Sequence, residues 1–369
     1  MTVGVLGGGQ LGRMLALAGY PLGLGFRFLD LSPRAPAGQL AELHAGDYED
    51  PDVLDRFADG LDVVTFEFEN VPVTSARLLA DRLPVYPPPG ALEAAQDRLV
   101  EKTFFQSQGV PTPPFLAVDS EESFRSALRL IGLPAVLKTR RMGYDGKGQI
   151  VLREPKDAEY AWRVLGNVPQ ILEGFVPFRR ELSVLAVRGR VGETAFYPLV
   201  ENHHRDGMLR LSLAPAPGLT GDLQRQAEHH ARRVLQALDY VGVLAIEFFE
   251  VNGQLLANEM APRVHNSGHW TIEGAETSQF ENHLRAVLGL PLGSTTAVGP
   301  AAMVNLIGST PPPEVVLRLP RTHLHLYGKS AAAGRKLGHV TIVERDEAAL
   351  RARLEELRAA PEMAEAWRM

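Results

Sequence analysis

The chain has 369 residues, of which 45% are hydrophobic and 22% are charged, and its formal net charge is −6 at pH 7. This length and composition are typical of a globular protein with two or three domains. The net charge is negative and no block of basic residues stands out, so the sequence does not indicate a nucleic-acid partner. The sequence has no cysteine, which excludes disulfides and thiolate ligands, and no apolar run long enough to cross a bilayer. No basic residue precedes the first apolar stretch, so we expect no secretory signal and a cytoplasmic protein without a membrane partner.

The N-terminal segment has the pattern of a parallel α/β domain. A predicted strand at 2–6 leads into a glycine-rich turn from Gly7 to Gly12, and the next predicted strand ends at Asp30. This arrangement resembles a dinucleotide-binding fingerprint. Because glycines also serve simply to turn a strand tightly into a helix, an NAD-dependent oxidoreductase is only one alternative.

A third predicted strand, at 62–66, ends in polar side chains. In an open parallel sheet the carboxyl ends of strands line the ligand crevice, so Gln10, Glu67 and Asn70 are candidates for one site. For Glu69, in the same stretch, we expect only a solvated loop position. The segment from Tyr86 to Pro89, which ends in three consecutive prolines, is expected to close this domain.

The next segment combines helices with a basic glycine-rich loop. Residues 91–108 predict one helix, on which Arg98 and Lys102 share a face. A predicted strand carrying Lys138 is followed by a loop at 140–149 with three glycines. Glycines let backbone N–H groups approach oxyanions, and lysine adds a point charge, so this loop predicts a lid over phosphates, with an ordinary hairpin as the alternative.

A predicted β-hairpin carries two carboxylates. Glu247 lies on the first strand, Asn252 and Gly253 are a turn signal, and Glu259 lies on the returning strand. Carboxylates on neighbouring strands provide the oxygen ligands that Mg²⁺ prefers. The usual two-residue turn would place the two glutamates on opposite faces, so we expect an odd-length loop or a bulge that restores a shared face.

Two further polar segments complete the candidate sites. After the hairpin, Arg263 and Asn266 offer paired N–H donors for a small planar anion, whereas a solvated hairpin end is the alternative. Paired histidines at 203 and 204 have no third metal ligand at a suitable spacing, so we expect His204 to contact phosphate or ribose. A glycine-flanked loop at 328–336 holds three cations, which suit a phosphate in an otherwise acidic chain.

Five stretches, in this order, resemble the ATP-grasp superfamily, and within it the N5-carboxyaminoimidazole ribonucleotide synthetase family of purine biosynthesis. They lie at 7–14, 143–149, 240–243, 258–270 and 334–339, and the last two are much more specific than the first. The resemblance implies a mixed α/β and α+β fold with three domains. These are an N-terminal parallel-sheet pre-ATP-grasp domain at 1–90, an ATP-grasp domain at 91–298 with a large sheet and a lid at about 112–175, and a small β-rich C-terminal domain at 299–369.

The implied reaction is a carbon–nitrogen ligation driven by ATP. ATP phosphorylates bicarbonate to carboxyphosphate, and this intermediate, or CO₂ released from it, carboxylates the amine of 5-aminoimidazole ribonucleotide. Because the intermediate hydrolyses readily, a lid that excludes water is needed. The implied cofactors are ATP and Mg²⁺, with Mn²⁺ able to replace it, and the implied assembly is a homodimer.

The family pattern assigns roles to individual residues of this sequence. The ATP site comprises Arg98, Lys138, the lid residues Gly143, Tyr144, Asp145, Gly146, Lys147, Gly148 and Gln149, then Glu173, Gly174, Phe175, Val176, Glu181, His204, Asn258 and Glu259. Glu247 and Glu259 bind the metal. The bicarbonate or carboxyphosphate ligands are Arg263, His265 and Asn266, and those of the ribonucleotide are Gln10, Glu67, Asn70, Tyr144, Asp145, Lys329, Arg335 and Lys336. The catalytic set is Arg263, His265, Asn266, Lys329 and Arg335.

Three alternatives compete with this hypothesis. One is another ATP-grasp ligase that joins formate or an amino acid to a nucleotide amine, and bicarbonate-dependent phosphate release would separate the two. The NAD-dependent oxidoreductase leaves the polar loop and the lid unexplained. A non-catalytic ATP-binding module would have no need of Arg263 or the paired glutamates.

Overall fold

The computed structural model describes residues 1–143, 146–166, 168–364 and 366–367. Its helices are α1 (Gln10–Gly19), α2 (Pro51–Ala58), α3 (Val73–Ala80), α4 (Pro89–Ala95), α5 (Arg98–Ser107), α6 (Glu121–Ile131), α7 (Pro155–Leu165), α8 (Gly221–Ala237), α9 (Thr271–Gly274), α10 (Gln279–Leu288), α11 (Pro313–Leu317) and α12 (Glu347–Ala359). In the part of the chain that is described, none of these helices combines the length and apolar character needed to cross a membrane.

The strands form three sheets. They are β1 (Thr2–Leu6), β2 (Gly25–Asp30), β3 (Glu42–Ala45), β4 (Val63–Phe66), β5 (Phe115–Val118), β6 (Ala135–Thr139), β7 (Gln149–Leu152), β8 (Gln170–Gly174), β9 (Arg180–Arg188), β10 (Thr194–Phe196), β11 (Val200–Arg205), β12 (Met208–Ala214), β13 (Gly242–Val251), β14 (Gln254–Ala261), β15 (Ala301–Ile307), β16 (Thr322–Leu326) and β17 (Lys336–Val343). The mixed α/β and α+β class expected from the sequence is confirmed.

The N-terminal sheet is parallel, with strand order β3-β2-β1-β4. Its central strand is buried on both faces, since Val3, Val5 and Leu6 are fully covered, as expected where helices pack on each side of a parallel sheet. Strand β3 was not predicted, because this short, half-exposed edge strand has no alternating apolar pattern. The glycine turn after β1 and the polar residues after β4 therefore meet at one edge of this sheet.

The central sheet has nine strands and continues into the C-terminal region. Its order is β14-β13-β9-β11-β12-β15-β17-β16, with β10 paired to β9. Antiparallel pairing of β12 with β15 joins the C-terminal strands directly to the ATP-grasp strands. This continuity fixes the loop between β16 and β17 relative to the hairpin of β13 and β14.

The lid is a four-stranded antiparallel sheet, with order β5-β8-β6-β7. The predicted basic loop joins β6 to β7, as expected. The single helix expected at 91–108 was wrong, because Asp97 interrupts it and caps α5 by accepting hydrogen bonds from the N–H groups of Leu99 (2.9 Å) and Val100 (3.3 Å). Arg98 and Lys102 nevertheless lie one turn apart on α5.

The hairpin of β13 and β14 contains the expected bulge. Asn252 and Gly253 form a two-residue turn with positive φ angles of 50° and 75°, as in the turns that match the twist of a hairpin. Further along, Glu247 lies opposite Glu259 whereas Phe248 lies opposite Ala257, so Asn258 is an extra residue in β14. The bulge reverses the face of every residue beyond it, and the two glutamates therefore share one face.

Candidate active site

One cavity of about 1000 Å³ contains residues from the loops and strands of all three sheets. The predicted site residues in its wall are Gln10, Glu67, Asn70, Arg98, Lys138, Gly143, Gly146, Lys147, Gln149, Glu173, Gly174, Phe175, Val176, Glu181, His204, Glu247, Asn258, Glu259, Arg263, His265, Asn266, Lys329, Arg335 and Lys336. Gly148 lies in the lid loop but outside the described cavity wall, and Tyr144 and Asp145 lie outside the described residues.

The paired carboxylates Glu247 and Glu259 lie at the cavity wall on β13 and β14. Burial raises the pKa of Glu247, and the Glu259 carboxylate adds to the effect. Burial also disfavours ionisation of Glu259, but the Arg98 guanidinium, 2.8 Å from its Oε2, more than offsets burial and lowers the pKa of Glu259. Two facing carboxylates with one paired cation form a site at which a second positive charge would be stabilised.

The donor set at this pair suits a hard divalent cation. Beside the carboxylates, Asn258 Oδ1 is buried and has no hydrogen-bond partner among the described residues. Within that same part of the chain, no group of three or more histidine, aspartate and glutamate side chains could enclose a metal ion alone. Two carboxylates and an amide oxygen fit Mg²⁺, which takes its remaining ligands from phosphates and water.

Two lysines share one buried carboxylate beside the lid. Glu173 Oε2 lies 3.0 Å from Lys138 Nζ and 3.2 Å from Lys102 Nζ. Burial opposes the charge on Glu173, but the two ammonium groups outweigh it and lower the pKa of Glu173 to about 2. Lys138 lines the cavity, whereas Lys102 is fully buried behind the carboxylate, so only Lys138 is placed to meet a ligand in the cavity.

Glu181 and His204, two residues predicted to belong to the nucleotide site, form a pair in the cavity wall. His204 Nδ1 lies 2.6 Å from Glu181 Oε2. Burial alone would lower the pKa of His204, but the interaction with Glu181 outweighs burial and raises it. The pair offers a carboxylate oxygen and an imidazole to the cavity, and both groups can bind hydroxyl groups.

The polar loop after β14 is held by contacts to the N-terminal and C-terminal regions. Arg263 Nε lies 2.5 Å from Glu69 Oε2, so the expectation of a solvated position for Glu69 was wrong. Burial would raise the pKa of Glu69, but the Arg263 guanidinium outweighs it and lowers the pKa. Asn266 exchanges two side-chain hydrogen bonds with Asn305, at 3.1 and 2.7 Å. These contacts fix the planar groups that were predicted to hold an anion.

His265 lies between this loop and the carboxylate pair. Its Nε2 is 3.4 Å from Glu247 Oε1, and its Nδ1 is 2.8 Å from Ser267 Oγ. Burial, reinforced by the positive charge of Arg263, lowers the pKa of His265 to about 3. The imidazole is therefore neutral at physiological pH.

The glycine turn after β1 is already occupied by carboxylates of the chain itself. Glu67 accepts hydrogen bonds from the N–H groups of Gly9 and Gly12, the latter at 2.7 Å, and Asp30 accepts one from Gly8 at 2.8 Å. Burial raises the pKa of Glu67 although both N–H groups oppose the effect. A dinucleotide pyrophosphate would need these same N–H donors, so the geometry argues against an NAD site.

The loop between β16 and β17 reaches the N-terminal turn. Lys329 Nζ donates a hydrogen bond to Gln10 Oε1. Arg335 donates to the carbonyl oxygen and hydroxyl of Ser330, both at 3.1 Å, which folds the cationic loop back on itself. The C-terminal cations and the N-terminal polar residues thus form one end of the cavity.

Sequence reasoning missed several residues of this site. Glu101 accepts a hydrogen bond from the N–H of Met260 at 2.6 Å, and burial together with the Glu259 charge raises the pKa of Glu101. The available signal was the spacing of Arg98, Glu101 and Lys102, which places them on one face of α5. Their role depends on contacts with distant strands, which local sequence patterns do not show.

Family models match most of the chain. The ribonucleotide synthetase preATP-grasp domain matches residues 1–96, the ATP-grasp domain residues 103–280, and the phosphoribosylaminoimidazole carboxylase C-terminal domain residues 301–353. The N5-carboxyaminoimidazole ribonucleotide synthase of Pseudomonas aeruginosa is 57% identical over 359 residues, which cover 97% of this chain and 99% of the relative. The corresponding enzyme of Bacillus subtilis is 40% identical over 94% of this chain and 92% of its own length.

Solved structures give the same result. The crystal structure of N5-carboxyaminoimidazole ribonucleotide synthetase from Thermus thermophilus is 63% identical, with a TM-score of 0.93 over 96% of this chain and 97% of that one. The Aspergillus clavatus synthase, in complex with ADP and 5-aminoimidazole ribonucleotide, is 30% identical with a TM-score of 0.91, covering 100% of this chain and 99% of that one.

The buried Lys102–Glu173 pair leads to a prediction about stability. We expect Lys102→Met to lower the free energy of unfolding by about 3 kcal/mol, the order found when one partner of a buried ion pair is removed. Glu173→Gln and the Lys102→Met, Glu173→Gln double variant complete the cycle, and the double variant should lose less than the sum of the two single losses because both single changes remove the same ion pair. Urea unfolding of the wild type and these variants measures the four values. Losses that simply add in the double variant would contradict this coupling.

Proposed function

The chain belongs to the N5-carboxyaminoimidazole ribonucleotide synthase family of ATP-grasp ligases, and we propose that the cavity described above is the site of this reaction. The family's activity is N5-carboxyaminoimidazole ribonucleotide synthesis in purine biosynthesis, and the proposed ligands of this chain are ATP and 5-aminoimidazole ribonucleotide. The observation that carries the site proposal is the facing pair Glu247 and Glu259. The cavity wall also contains Arg98 and Lys138, the cations assigned to ATP, and Arg263 from the polar loop.

ATP occupies the part of the cavity between the lid and the central sheet. Lys138 and Arg98 bind its phosphates, and each exchanges the carboxylate partner that it has in this structure for phosphate oxygens. Lys102 keeps Glu173 neutralised when Lys138 turns to the phosphates. The backbone of 173–176 meets the adenine, and Glu181 with His204 meets the ribose. Phosphoryl transfer needs mainly this positioning and charge neutralisation.

Glu247 and Glu259 are the proposed ligands of Mg²⁺ or Mn²⁺. Their facing oxygens and the buried Asn258 Oδ1 fit such an ion. When bound, the ion neutralises charge on the transferring phosphoryl group. The contribution of the chain itself is to keep both carboxylates on one face and to hold Glu259 beside Arg98.

Bicarbonate is proposed to bind beside the carboxylate pair. Arg263 presents its guanidinium to the cavity while Glu69 fixes the orientation of that group. His265 and Asn266 supply further donors from the same loop. Phosphorylated bicarbonate, or CO₂ released from it, then meets the amine of the ribonucleotide inside a cavity that the lid residues 143–149 close against water.

The ribonucleotide is proposed to bind where the N-terminal and C-terminal loops meet. Lys329 and Arg335 suit its 5′-phosphate by charge, with Lys336 beside them, and Gln10, Glu67 and Asn70 line the cavity with these cations. Tyr144 and Asp145 stay assigned to this ligand as predictions.

The domain boundaries at 90 and 298 and the homodimer also stay predictions. Light scattering on the purified protein tests the homodimer.

The anion-binding role of Arg263 is tested by Arg263→Lys. A lysine keeps the charge but loses the planar fork, so we expect carboxylation to fall by about ten- to a hundred-fold, equivalent to about 1.5–3 kcal/mol, with ADP affinity unchanged. Steady-state kinetics and calorimetry measure the two quantities. Arg285→Lys is the matched control, because Arg285 also lies 2.5 Å from a glutamate but outside the cavity wall. Wild-type turnover of Arg263→Lys would exclude this role.

The assignment of Lys329 and Arg335 to the ribonucleotide phosphate is tested by replacing both with alanine. We expect the KM for the ribonucleotide to rise by about tenfold or more, since a phosphate contact of about 1.4 kcal/mol corresponds to a factor of ten. The KM for ATP should change little. The Arg345→Ala, Arg351→Ala variant removes the same charge from exposed positions of the C-terminal region and serves as the control. Equal effects on both substrates would remove the assignment.

A further inference from the structure

A buried series of side-chain hydrogen bonds runs from the central sheet to His265. Ser212 Oγ donates to Asn202 Oδ1 (2.8 Å), Asn202 Nδ2 donates to Ser183 Oγ (2.9 Å), and Ser183 Oγ donates to Ser267 Oγ (2.8 Å). Ser267 Oγ lies 2.8 Å from His265 Nδ1. The three serines are fully buried and Asn202 is 5% exposed. We call these five side chains the hydrogen-bond series.

In one direction of the hydrogen-bond series, every hydroxyl proton has an acceptor. The backbone N–H of Ser267 lies 3.3 Å from His265 Nδ1, a contact that favours the tautomer in which this nitrogen accepts and carries no proton. The Ser267 hydroxyl then donates to the same nitrogen, and each hydroxyl before it donates to the next group. If Nδ1 carried the proton, Ser267 would donate to Ser183, and with the Asn202 amide nitrogen facing Ser183, as observed, the Ser183 proton would find no acceptor within the series.

We propose that Ser183, Asn202 and Ser267 are positioning residues that hold the His265 imidazole in the tautomer with its proton on Nε2. This inference rests on the proposed function for the role of the anion subsite. Ser183 and Asn202 lie on β9 and β11, and Ser212 lies on β12, so the central sheet itself sets the proton position on a residue of the loop after β14. Neutral histidine has one donor and one acceptor nitrogen, and the Ser267 hydroxyl at the end of the series donates to the acceptor nitrogen, Nδ1.

The consequence is that His265 serves the reaction as a hydrogen-bond donor and not as a base. The protonated Nε2 lies 3.4 Å from Glu247 Oε1 and in the cavity wall. From there it can donate to an oxygen of bicarbonate or carboxyphosphate, or to Glu247. A donor that is already oriented costs no reorganisation when negative charge develops on the oxygen. Removal of a proton from bicarbonate or from the ribonucleotide amine is left to another group.

Nuclear magnetic resonance of the full-length protein with ¹⁵N-labelled histidine tests the tautomer directly. Long-range ¹H–¹⁵N spectra distinguish protonated from unprotonated ring nitrogens, and His265→Gln identifies the signals of His265 by their loss. We expect a bare Nδ1 and a protonated Nε2 in the wild-type protein without substrates. A protonated Nδ1 would overturn the proposal, whatever the activity of His265→Gln.

Asn202→Asp tests whether the series sets the tautomer. The introduced carboxylate only accepts hydrogen bonds, so Ser183 would turn its proton toward it, Ser267 would turn toward Ser183, and Nδ1 of His265 would gain the proton. We expect a shift of the His265 signals toward the other tautomer and a fall in kcat for carboxylation of about tenfold, with the KM for ATP nearly unchanged. If this variant does not fold, Ser183→Ala removes the donor that directs the Ser267 hydroxyl proton toward Nδ1 without adding a buried charge, so we expect a mixture of the two tautomers and a smaller fall in kcat.

Ser75→Ala is the matched control. Ser75 is a buried serine of α3 whose hydroxyl has no hydrogen-bond partner among the described residues, so its loss should leave the spectra and kcat unchanged. Folded Asn202→Asp or Ser183→Ala protein with wild-type spectra and kcat would overturn the positioning role. If His265→Gln keeps full kcat while the wild-type tautomer is as assigned, the anion-subsite role of His265 fails and the tautomer assignment stands.

Discussion

One extra residue in a β-strand makes the active site possible. The turn at Asn252 and Gly253 alone would send Glu247 and Glu259 to opposite faces of the sheet, and the bulge at Asn258 brings them together. Burial of Glu247 and repulsion from Glu259 raise the pKa of Glu247, so the facing carboxylates are unfavourable by themselves. The surrounding site is arranged to relieve this repulsion, first through Arg98 and then, in our account, through a divalent cation and the phosphates it accompanies.

Ion pairs and a hydrogen bond at the cavity also connect the three regions of the chain. The pairs Arg98–Glu259 and Arg263–Glu69 link the central sheet to α5 and to the N-terminal region, and Lys329 meets Gln10 across the far end of the cavity. Each of these cations, which we assign to substrate anions, has a protein partner in this structure. For Arg98, whose partner in this structure is Glu259, nucleotide binding would exchange one anionic partner for another, so its largely buried charge keeps a counter-ion.

Part of this site could be predicted from local sequence. The hairpin, the glycine-rich lid loop and the cationic loop before β17 each have a short-range signature, and the need for a bulge followed from the alternation of strand side chains. Glu69 could not be placed, because its surroundings depend on Arg263 almost two hundred positions away. The break at Asp97 was missed because a capping aspartate within a helical pattern is a local conflict that tertiary contacts decide, here the ion pair with Arg140 at 2.8 Å. The hydrogen-bond series to His265 joins serines whose spacing carries no periodic signal.

The central claim is that the bulge creates a shared metal site at Glu247 and Glu259. Electron paramagnetic resonance of Mn²⁺, titrated into the protein in the presence of ADP, measures the affinity of this site directly. The account predicts one Mn²⁺ bound per chain, and an affinity that falls by about tenfold or more in both Glu247→Gln and Glu259→Gln, since each loses one charged oxygen ligand. Unchanged Mn²⁺ affinity in either variant, with ADP still bound, would contradict the shared site.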